Sequence, residues 1–215
     1  MERIKKNKTS IIISSVLILV PVLIGIILWD RLPDMIPTHF NLKGEADQYS
    51  SKIFTVFFMP LILLALHGIM IIGTASDPKG ERVSDKIFNL ILYIIPLVSI
   101  FVSTMIYLKA MNYDINITRI VLWFISVVFI ITGNYIPKAR QNYTIGFRTP
   151  WTLNDQENWD KTNRFGGYLM VAAGILTFIC SFLPKTIFVV LPLLILSGIL
   201  PLIYSFMLYS RKARQ

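Results

Sequence analysis

The sequence predicts an all-α integral membrane protein with six transmembrane helices and both termini in the cytoplasm. First, 54% of the 215 residues are hydrophobic and only 15% are charged, a composition too apolar for a soluble domain of this length. Second, six apolar runs approach the length of about 20 residues that crosses roughly 30 Å of hydrocarbon. Third, the basic residues cluster between alternate runs, which indicates a fixed orientation.

The six apolar runs follow one another with polar connections. They lie near residues 9–29, 53–73, 87–108, 117–133, 165–183 and 186–209. A basic segment precedes the first run, as in a signal peptide, but no small-residue cleavage site ends it, so we predict a retained first span. Only Pro184, Lys185 and Thr186 separate the last two runs, and we expect a tight reversal there.

The distribution of Lys and Arg residues predicts the orientation of the chain. With the amino terminus in the cytoplasm, 15 of the 21 basic residues fall in cytoplasmic segments. Such an asymmetry is what the positive-inside rule requires. It also accounts for the formal net charge of +9 without nucleic acid, so we expect membrane lipid as a partner and no direct contact with nucleic acid.

The spans fall into two predicted domains. Residues 1–86 form an amino-terminal membrane domain with two spans and an external loop at residues 30–52. Residues 87–215 form a second membrane domain with four spans and a cytoplasmic loop at residues 134–164. A loop of this length inside a compact protein is usually functional or disordered, and the aromatic residues of the second loop favour an ordered one.

The external loop carries prolines that fix φ and therefore predict an extended or turned path rather than a helix. Its candidate binding residues are Pro33, Asp34, Pro37, His39, Phe40, Asn41, Gly44 and Asp47. A metal site is not expected, because one histidine and scattered carboxylates lack the ligand spacing of metal motifs. Two interpretations stay open: a folded cap whose polar groups satisfy one another, and a surface that binds a molecule outside the cell.

The loop at residues 134–164 contains the second set of candidates. They are Asn134, Pro137, Lys138, Asn142, Gly146, Arg148, Thr149, Pro150, Trp151 and Trp159. Arg148 is expected either to present its guanidinium to an anionic partner, or to contact lipid head groups or brace the loop. Thr152 and Asp155 have the spacing of a capping box, which predicts a helix that turns into the fifth span at Gly166 and Gly167.

Both loops resemble one known family. The run Leu32-Pro33-Asp34 through Ile36-Pro37-Thr38-His39-Phe40-Asn41, with Gly44, Asp47 and Ser51-Lys52, resembles the uncharacterised amino-terminal domain that commonly precedes the SdpI domain. The run Gly133-Asn134-Tyr135-Ile136-Pro137-Lys138, followed by Asn142, Ile145-Gly146-Phe147-Arg148-Thr149-Pro150-Trp151-Thr152 and Trp159, resembles the SdpI domain itself. The second string is the more specific, because it orders many polar and aromatic residues at fixed spacing.

The resemblance to the SdpI family implies a function. It implies a bacterial cell-membrane protein that gives immunity against a secreted toxic peptide, with the external loop facing that peptide. It also implies a second activity, in which the membrane protein captures a cytoplasmic transcriptional repressor when the toxin is present. The loop at residues 134–164 would then face the repressor.

Other functions find less support in the sequence. No nucleophile elbow, zinc motif, phosphate-binding glycine loop or cysteine and histidine pair occurs, so we expect no enzyme, no cofactor and no metal. The lone Cys180 lies in an apolar run and forms no internal disulfide. An efflux transporter of small molecules or peptides is the alternative, although the centres of the six runs contain no ionisable residue apart from the off-centre His67.

Overall fold

The computed structural model describes residues 2–41, 44–79, 83–183 and 186–214. Within these ranges, six helices are long and apolar enough to cross a membrane, which confirms the six predicted runs. These candidate spans are Lys8–Ile27, Phe54–Ala75, Asp85–Ala110, Ile117–Lys138, Gln156–Cys180 and Ile187–Lys212. The reversal predicted at Pro184 and Lys185 lies outside the described residues.

Short helices and turns extend or interrupt the candidate spans. In chain order the α-helices are α1 (Glu2–Lys6), α2 (Lys8–Ile27), α3 (Met59–Ala75), α4 (Asp85–Leu92), α5 (Ile94–Ala110), α6 (Ile117–Tyr135), α7 (Pro150–Asn154), α8 (Gln156–Cys180) and α9 (Ile187–Lys212). A π-helical segment, Phe54–Phe58, leads into α3, and a 3-10 turn, Ile136–Lys138, follows α6. Pro137 stands in that turn, so α6 ends where its proline predicts.

A β-hairpin between α2 and α3 departs from the predicted all-α class. Strand β1 (Met35–Phe40) pairs antiparallel with strand β2 (Ala46–Ser51). The prolines of the external loop were correctly expected to exclude a helix, and Pro37 lies inside β1. The pairing itself was not predicted, because the polar side chains of β2 give no alternation of hydrophobic and polar residues. We call residues 35–51 the hairpin below.

Contacts along the chain divide it into two compact units. Unit 1 comprises Met1–Ser76 and Asp85–Thr118, and unit 2 comprises Asp77–Ser84 and Arg119–Gln215. The helix pair α4 and α5 therefore packs within the same unit as α2 and α3. The domain boundary placed between residues 86 and 87 describes segments of sequence rather than packing, and it stays a prediction.

In unit 1, the core joins the hairpin to the helices. Its buried apolar residues are Leu32, Ile36, Val56, Ile106, Tyr107 and Ala110. Gly25 of α2 permits this packing, because a Cβ atom there would lie 2.7 Å from Val56 Cγ1 and 2.8 Å from the Tyr107 hydroxyl. The Tyr107 hydroxyl donates a hydrogen bond of 3.1 Å to the carbonyl of Pro21. These contacts join α2 to α5, and Ile36 of β1 packs in the same core beside Ile106, Tyr107 and Ala110 of α5.

Two further polar contacts hold α2 in place. The Ser99 hydroxyl of α5 donates to the carbonyl of Ile18 over 2.9 Å. Ser14 Oγ and His67 Nε2 lie 2.9 Å apart, and both side chains are fully buried. His67 therefore packs between α2 and α3 with one ring nitrogen hydrogen bonded to Ser14, while its Nδ1 is buried without a hydrogen-bond partner among the described residues.

In unit 2, small residues bring α6 and α8 into backbone contact. A Cβ atom on Gly133 would lie 2.7 Å from the carbonyl oxygen of Gly167, and one on Gly174 would lie 2.8 Å from the carbonyl oxygen of Ser126. The turn predicted at Gly166 and Gly167 is wrong, because α8 is continuous from Gln156 to Cys180. These two glycines instead leave room for ring atoms of Phe147 and Pro137.

Candidate functional site

The candidate site in unit 2 is the loop at residues 134–164, which the structure orders through buried polar side chains. Asn142 is fully buried and is the centre of its first half. Its amide nitrogen donates to the carbonyls of Arg140 and Ile145 over 2.8 and 3.1 Å. Its oxygen accepts from the backbone N–H groups of Thr144 and Ile145 over 2.8 and 2.7 Å. Asn142 uses all of these groups internally and is a structural residue of the loop.

Trp159 and Asn163 lie in α8 and hold the preceding residues of the loop against that helix. The Trp159 side chain is fully buried, and its indole N–H donates to the carbonyl of Ala139 over 2.9 Å. Asn163 Oδ1 accepts from the backbone N–H of Phe147 over 2.8 Å. Gly146, at a φ of +112°, passes directly over Asn163. A side chain at position 146 would be strained by the backbone and blocked by Asn163.

The capping box begins three residues earlier than predicted. Thr149 is the N-cap of α7, its side chain accepts from the Thr152 backbone N–H over 3.1 Å, and the Thr152 hydroxyl accepts from the Thr149 N–H over 2.8 Å. Asp155 separately caps α8 by accepting from the N–H groups of Glu157 and Asn158. The two helices are therefore capped in succession, and Thr152 closes the first cap instead of opening the second.

Helix α9 supplies partners for the second half of the loop. Thr149 Oγ1 and Ser205 Oγ lie 2.8 Å apart, and the Asn158 amide donates to the Ser205 carbonyl over 3.0 Å. The half-buried Trp151 ring packs at a tilt against the rings of Phe206 and Tyr209, with centroid distances of 5.1 and 5.8 Å. Thr149 and Trp151, both predicted to face a partner, are therefore occupied in attaching α7 to α9.

An ion pair joins the beginning of α8 to the end of α9. Lys212 Nζ donates to Asp155 Oδ2 over 2.9 Å. This hydrogen bond lowers the pKa of Asp155 below its ordinary value of 3.8, and the backbone N–H groups at the helix cap act in the same direction. The carboxylate is therefore ionised at neutral pH, where it caps α8 and holds the basic end of α9.

The residues after α3 contribute a clamp that sequence reasoning missed. Asp77 Oδ2 accepts from the Tyr143 backbone N–H over 2.9 Å and from the Thr144 hydroxyl. Lys79 Nζ donates to Gln141 Oε1 over 3.0 Å and to the Leu153 carbonyl over 3.1 Å. The sequence alone does not predict this role, because the turn residues of the segment carry no signal for contacts with residues more than 60 positions away.

Five of the predicted residues and Arg140 remain on the exposed surface of unit 2. They are Asn134, Pro137, Lys138, Arg140, Arg148 and Pro150. An Arg148 guanidinium nitrogen donates to the Tyr143 carbonyl, which fixes the side chain while leaving it exposed. Lys138 lies 5.0 Å over the Tyr135 ring. Three cationic side chains are thus presented from a loop that buried residues hold rigid.

The candidate site in unit 1 is the hairpin. His39 Nδ1 lies 2.6 Å from Asp47 Oδ1, and both side chains are exposed. Near the tip, Asn41 donates to Glu45 Oε2 over 3.0 Å and accepts from the Glu45 N–H over 3.1 Å. Gly44 has a φ of +80°, a conformation that favours glycine in a turn. The structure therefore pairs two predicted residues, His39 and Asp47, with each other, and pairs Asn41 with Glu45, which was not among the candidates.

The base of the hairpin depends on a lysine that was not among the candidates. Lys52 Nζ donates to the Trp29 carbonyl over 3.1 Å, lies 5.1 Å over the Trp29 ring and is 3.4 Å from Asp34 Oδ1. Its side chain is only 13% exposed, whereas the Asp34 side chain is fully exposed. Pro37 and Phe40 are partly or fully buried, and Pro33 is exposed.

Pro33 also lines a groove in unit 1, beside the carboxyl end of α5. The groove has a volume of about 500 Å³. Its lining residues are Asp30, Arg31, Leu32, Pro33, Ala110, Met111, Asn112 and Tyr113. Within the described ranges, no group of three or more His, Cys, Asp or Glu side chains could hold a metal ion.

Comparison with known proteins places both candidate regions in recognised segments. Residues 138–205 match the SdpI/YfhL protein family, and residues 16–64 match a domain of unknown function, DUF1648. The chain is 28% identical over 213 residues to the Immunity protein SdpI of Bacillus subtilis (strain 168), covering 96% of this chain and 97% of that protein. No solved structure matches the chain. The resemblance to the SdpI family is confirmed, and the chain is a multi-pass membrane protein.

Proposed function

We propose that this chain, in which an SdpI segment follows a DUF1648 segment, is an immunity protein of the bacterial cell membrane that protects its host from a secreted toxic peptide. The observation that carries the proposal is the similarity to an immunity protein over 96% of the chain. A match of that extent includes the hairpin, the 134–164 loop and all six candidate spans. It therefore supports a shared activity more strongly than a match confined to one segment would.

The hairpin supports the part of the proposal that concerns the toxin. We place it outside the cell, following the asymmetry of 15 basic residues in segments of one side and six in the other. It is short, held at its base by Lys52 and packed through β1 on α5. A rigid element that projects from two helices presents a surface without a large entropic cost of ordering on binding.

A second activity, capture of a cytoplasmic transcriptional repressor, is favoured by the surface of unit 2. Three candidate spans separate the hairpin from the 134–164 loop, so the loop lies on the opposite, cytoplasmic side if each of them crosses. There Lys138, Arg140 and Arg148 are exposed on a braced scaffold. Such a surface suits an acidic patch of a soluble protein, since charge complementarity accelerates and orients association.

Survival of a sensitive host tests the proposed immunity. The chain is produced in a Bacillus subtilis strain that lacks its own SdpI, and the cells are exposed to the toxic peptide to which that strain is then sensitive. We expect survival with the peptide intact in the medium and with the membrane potential preserved. Unchanged killing at normal levels of inserted protein would contradict immunity towards that peptide.

The same culture separates immunity from efflux. A transporter of small molecules or peptides would remove a labelled toxin from the cells at a rate that scales with the amount of protein, and collapse of the proton gradient would slow that removal. An immunity protein that blocks the toxin at the membrane leaves the rate at which label leaves the cells independent of the amount of protein and of the proton gradient. Efflux that depends on both quantities would replace the present proposal with the transporter.

A further inference from the structure

The two edges of the hairpin differ in a way that identifies a binding surface. The Lys52 N–H donates to the Asp34 carbonyl over 2.8 Å, which closes the ladder at the base. Because hydrogen-bonded and non-hydrogen-bonded pairs alternate in antiparallel strands, Ile36 and Ser50 form the next bonded pair. Pro37 and Tyr49 then face each other at a non-hydrogen-bonded position, with their backbone groups directed outward.

The outer edge of β1 is closed to a further strand. Pro37 has no N–H to offer there, and prolines are one of the devices that block strand edges. Both Ile36 and Pro37 are buried, and β1 packs against α5. At Pro37, therefore, this side of the hairpin offers no donor to a further strand.

The outer edge of β2 is open. Asp47, Gln48, Tyr49 and Ser51 are all exposed, and Tyr49 is 54% exposed. By the alternation of the ladder, the N–H and C=O groups of Tyr49 point away from β1. An edge of this kind accepts an extended peptide as an additional strand.

The charges beside this edge select the peptide. Within the described part of residues 34–52, the exposed carboxylates are those of Asp34, Glu45 and Asp47. The ammonium group of Lys52 donates to the Trp29 carbonyl and lies 3.4 Å from Asp34 Oδ1, and its side chain is 13% exposed. Among the described residues of this part of the chain, three carboxylates therefore stand against one ammonium group, which is paired with Asp34. Glu45 and Asp47 are the carboxylates at β2 itself.

We propose that the outer edge of β2, centred on Tyr49, binds an extended cationic peptide segment as a third strand of the hairpin. Main-chain hydrogen bonds to Tyr49 supply affinity, and the carboxylates of Glu45 and Asp47 select basic side chains. The inference rests on the proposed immunity function, since it identifies this segment as part of the secreted toxin. It does not require a conformational change of the hairpin.

The test uses a fluorescent peptide of five Lys-Val repeats, acetylated and amidated, with the full-length protein in phosphatidylcholine nanodiscs. Tyr49→Pro removes the outward N–H without removing a ladder bond, and Tyr49→Ala is its matched control because it keeps that N–H. We expect Tyr49→Pro to weaken binding about tenfold, as for loss of one or two hydrogen bonds, and Tyr49→Ala to stay within about threefold of wild type.

A peptide-side variant keeps the proposal testable if Tyr49→Pro fails to fold. N-methylation of alternate peptide amides on the edge that faces β2 is expected to abolish binding to the wild-type protein, and a Glu-Val repeat peptide is expected not to bind. Hydrogen exchange at residues 46–51 is expected to slow when the Lys-Val peptide is present. Equal binding of the methylated and unmethylated peptides, or of both Tyr49 variants, would overturn the strand-addition proposal.

Three further outcomes distinguish strand addition from self-association of the chain and from a failure of the immunity function. Disulfide-linked dimers formed efficiently by a Tyr49→Cys variant that also carries Cys180→Ala would assign the edge to a second copy of this chain, against the proposal. If the toxin kills cells that contain wild-type protein while the Tyr49 pattern of peptide binding holds, the immunity function fails and the strand edge remains. If Tyr49→Pro protects cells as wild type does, the edge does not receive the toxin.

Discussion

Gly146 lies so close to the side chain of Asn163 that a Cβ atom built on the glycine would be 2.5 Å from Asn163 Oδ1. That oxygen already accepts from the backbone N–H of Phe147 over 2.8 Å. The chain that follows α6 therefore crosses α8 at a point where only a glycine fits, and the buried Asn163 of α8 is the contact that fixes the crossing.

Replacing this glycine is expected to loosen the loop. Gly146→Ala places a side chain at a φ of +112° and against Asn163, and such a backbone conformation costs about 1–3 kcal/mol. Thermal unfolding of the purified protein in detergent measures the loss. Gly198→Ala is the control, because no atom lies within 4 Å of a Cβ there. Equal midpoints for the two variants would contradict the crossing.

Substitutions of Arg148 and Trp151 are expected to have different effects, because Arg148 is exposed on the surface and Trp151 packs against α9. Trp151→Ala removes ring contacts with Phe206 and Tyr209, each worth about 0.5–1.5 kcal/mol, so its thermal midpoint falls. Arg148→Ala removes one exposed side chain and leaves the midpoint near that of wild type. If the surface binds an acidic partner, Arg148→Ala reduces the toxin-dependent recruitment of a fluorescently labelled candidate repressor to the membrane. Arg164→Ala, also exposed, is the charge-matched control.

The Asp155 ion pair is expected to make stability depend on acidity. Its pKa is lowered from 3.8 in the folded protein, so the stabilisation is complete above the unfolded pKa and is lost as the pH falls through the folded value. Asp155→Asn keeps a good N-cap but loses the ion pair with Lys212. At pH 7 the free energy of unfolding of the variant is expected to be lower than that of wild type, by no more than about 1 kcal/mol for an exposed pair. The difference should shrink below pH 4; a gap that is constant with pH would assign the effect to the cap.

The orientation prediction calls for cysteines at exposed positions. In a Cys180→Ala background, Gln48→Cys is expected to react with an impermeant thiol reagent in intact cells, and Arg140→Cys is expected to react only after permeabilisation. The opposite pattern would place the hairpin in the cytoplasm and Arg140 outside the cell. Both side chains are exposed in the structure, so a failure to react reports the membrane side.

Several features were predictable from the sequence because they depend on local composition. Each candidate span has about enough apolar residues to cross a bilayer, and that property needs no knowledge of neighbours. Pro37 and Pro137 excluded helix at their positions because proline fixes φ wherever it stands. The Pro, Trp and Arg string of the 134–164 loop was recognisable as that of a family, although its geometry was not.

The roles of individual loop residues depended on contacts between distant parts of the chain. Asn142 and Trp159 were predicted to meet a partner, but burial and internal hydrogen bonds make both of them supports of the loop. Asp77 and Lys79 gave no local signal, since their partners lie more than 60 residues away. The sequence by itself determined how many helices can span the membrane and which residue types fill the loops. Only the tertiary structure decided which polar groups are satisfied internally and which, such as those of Arg148 and the edge of β2, remain available.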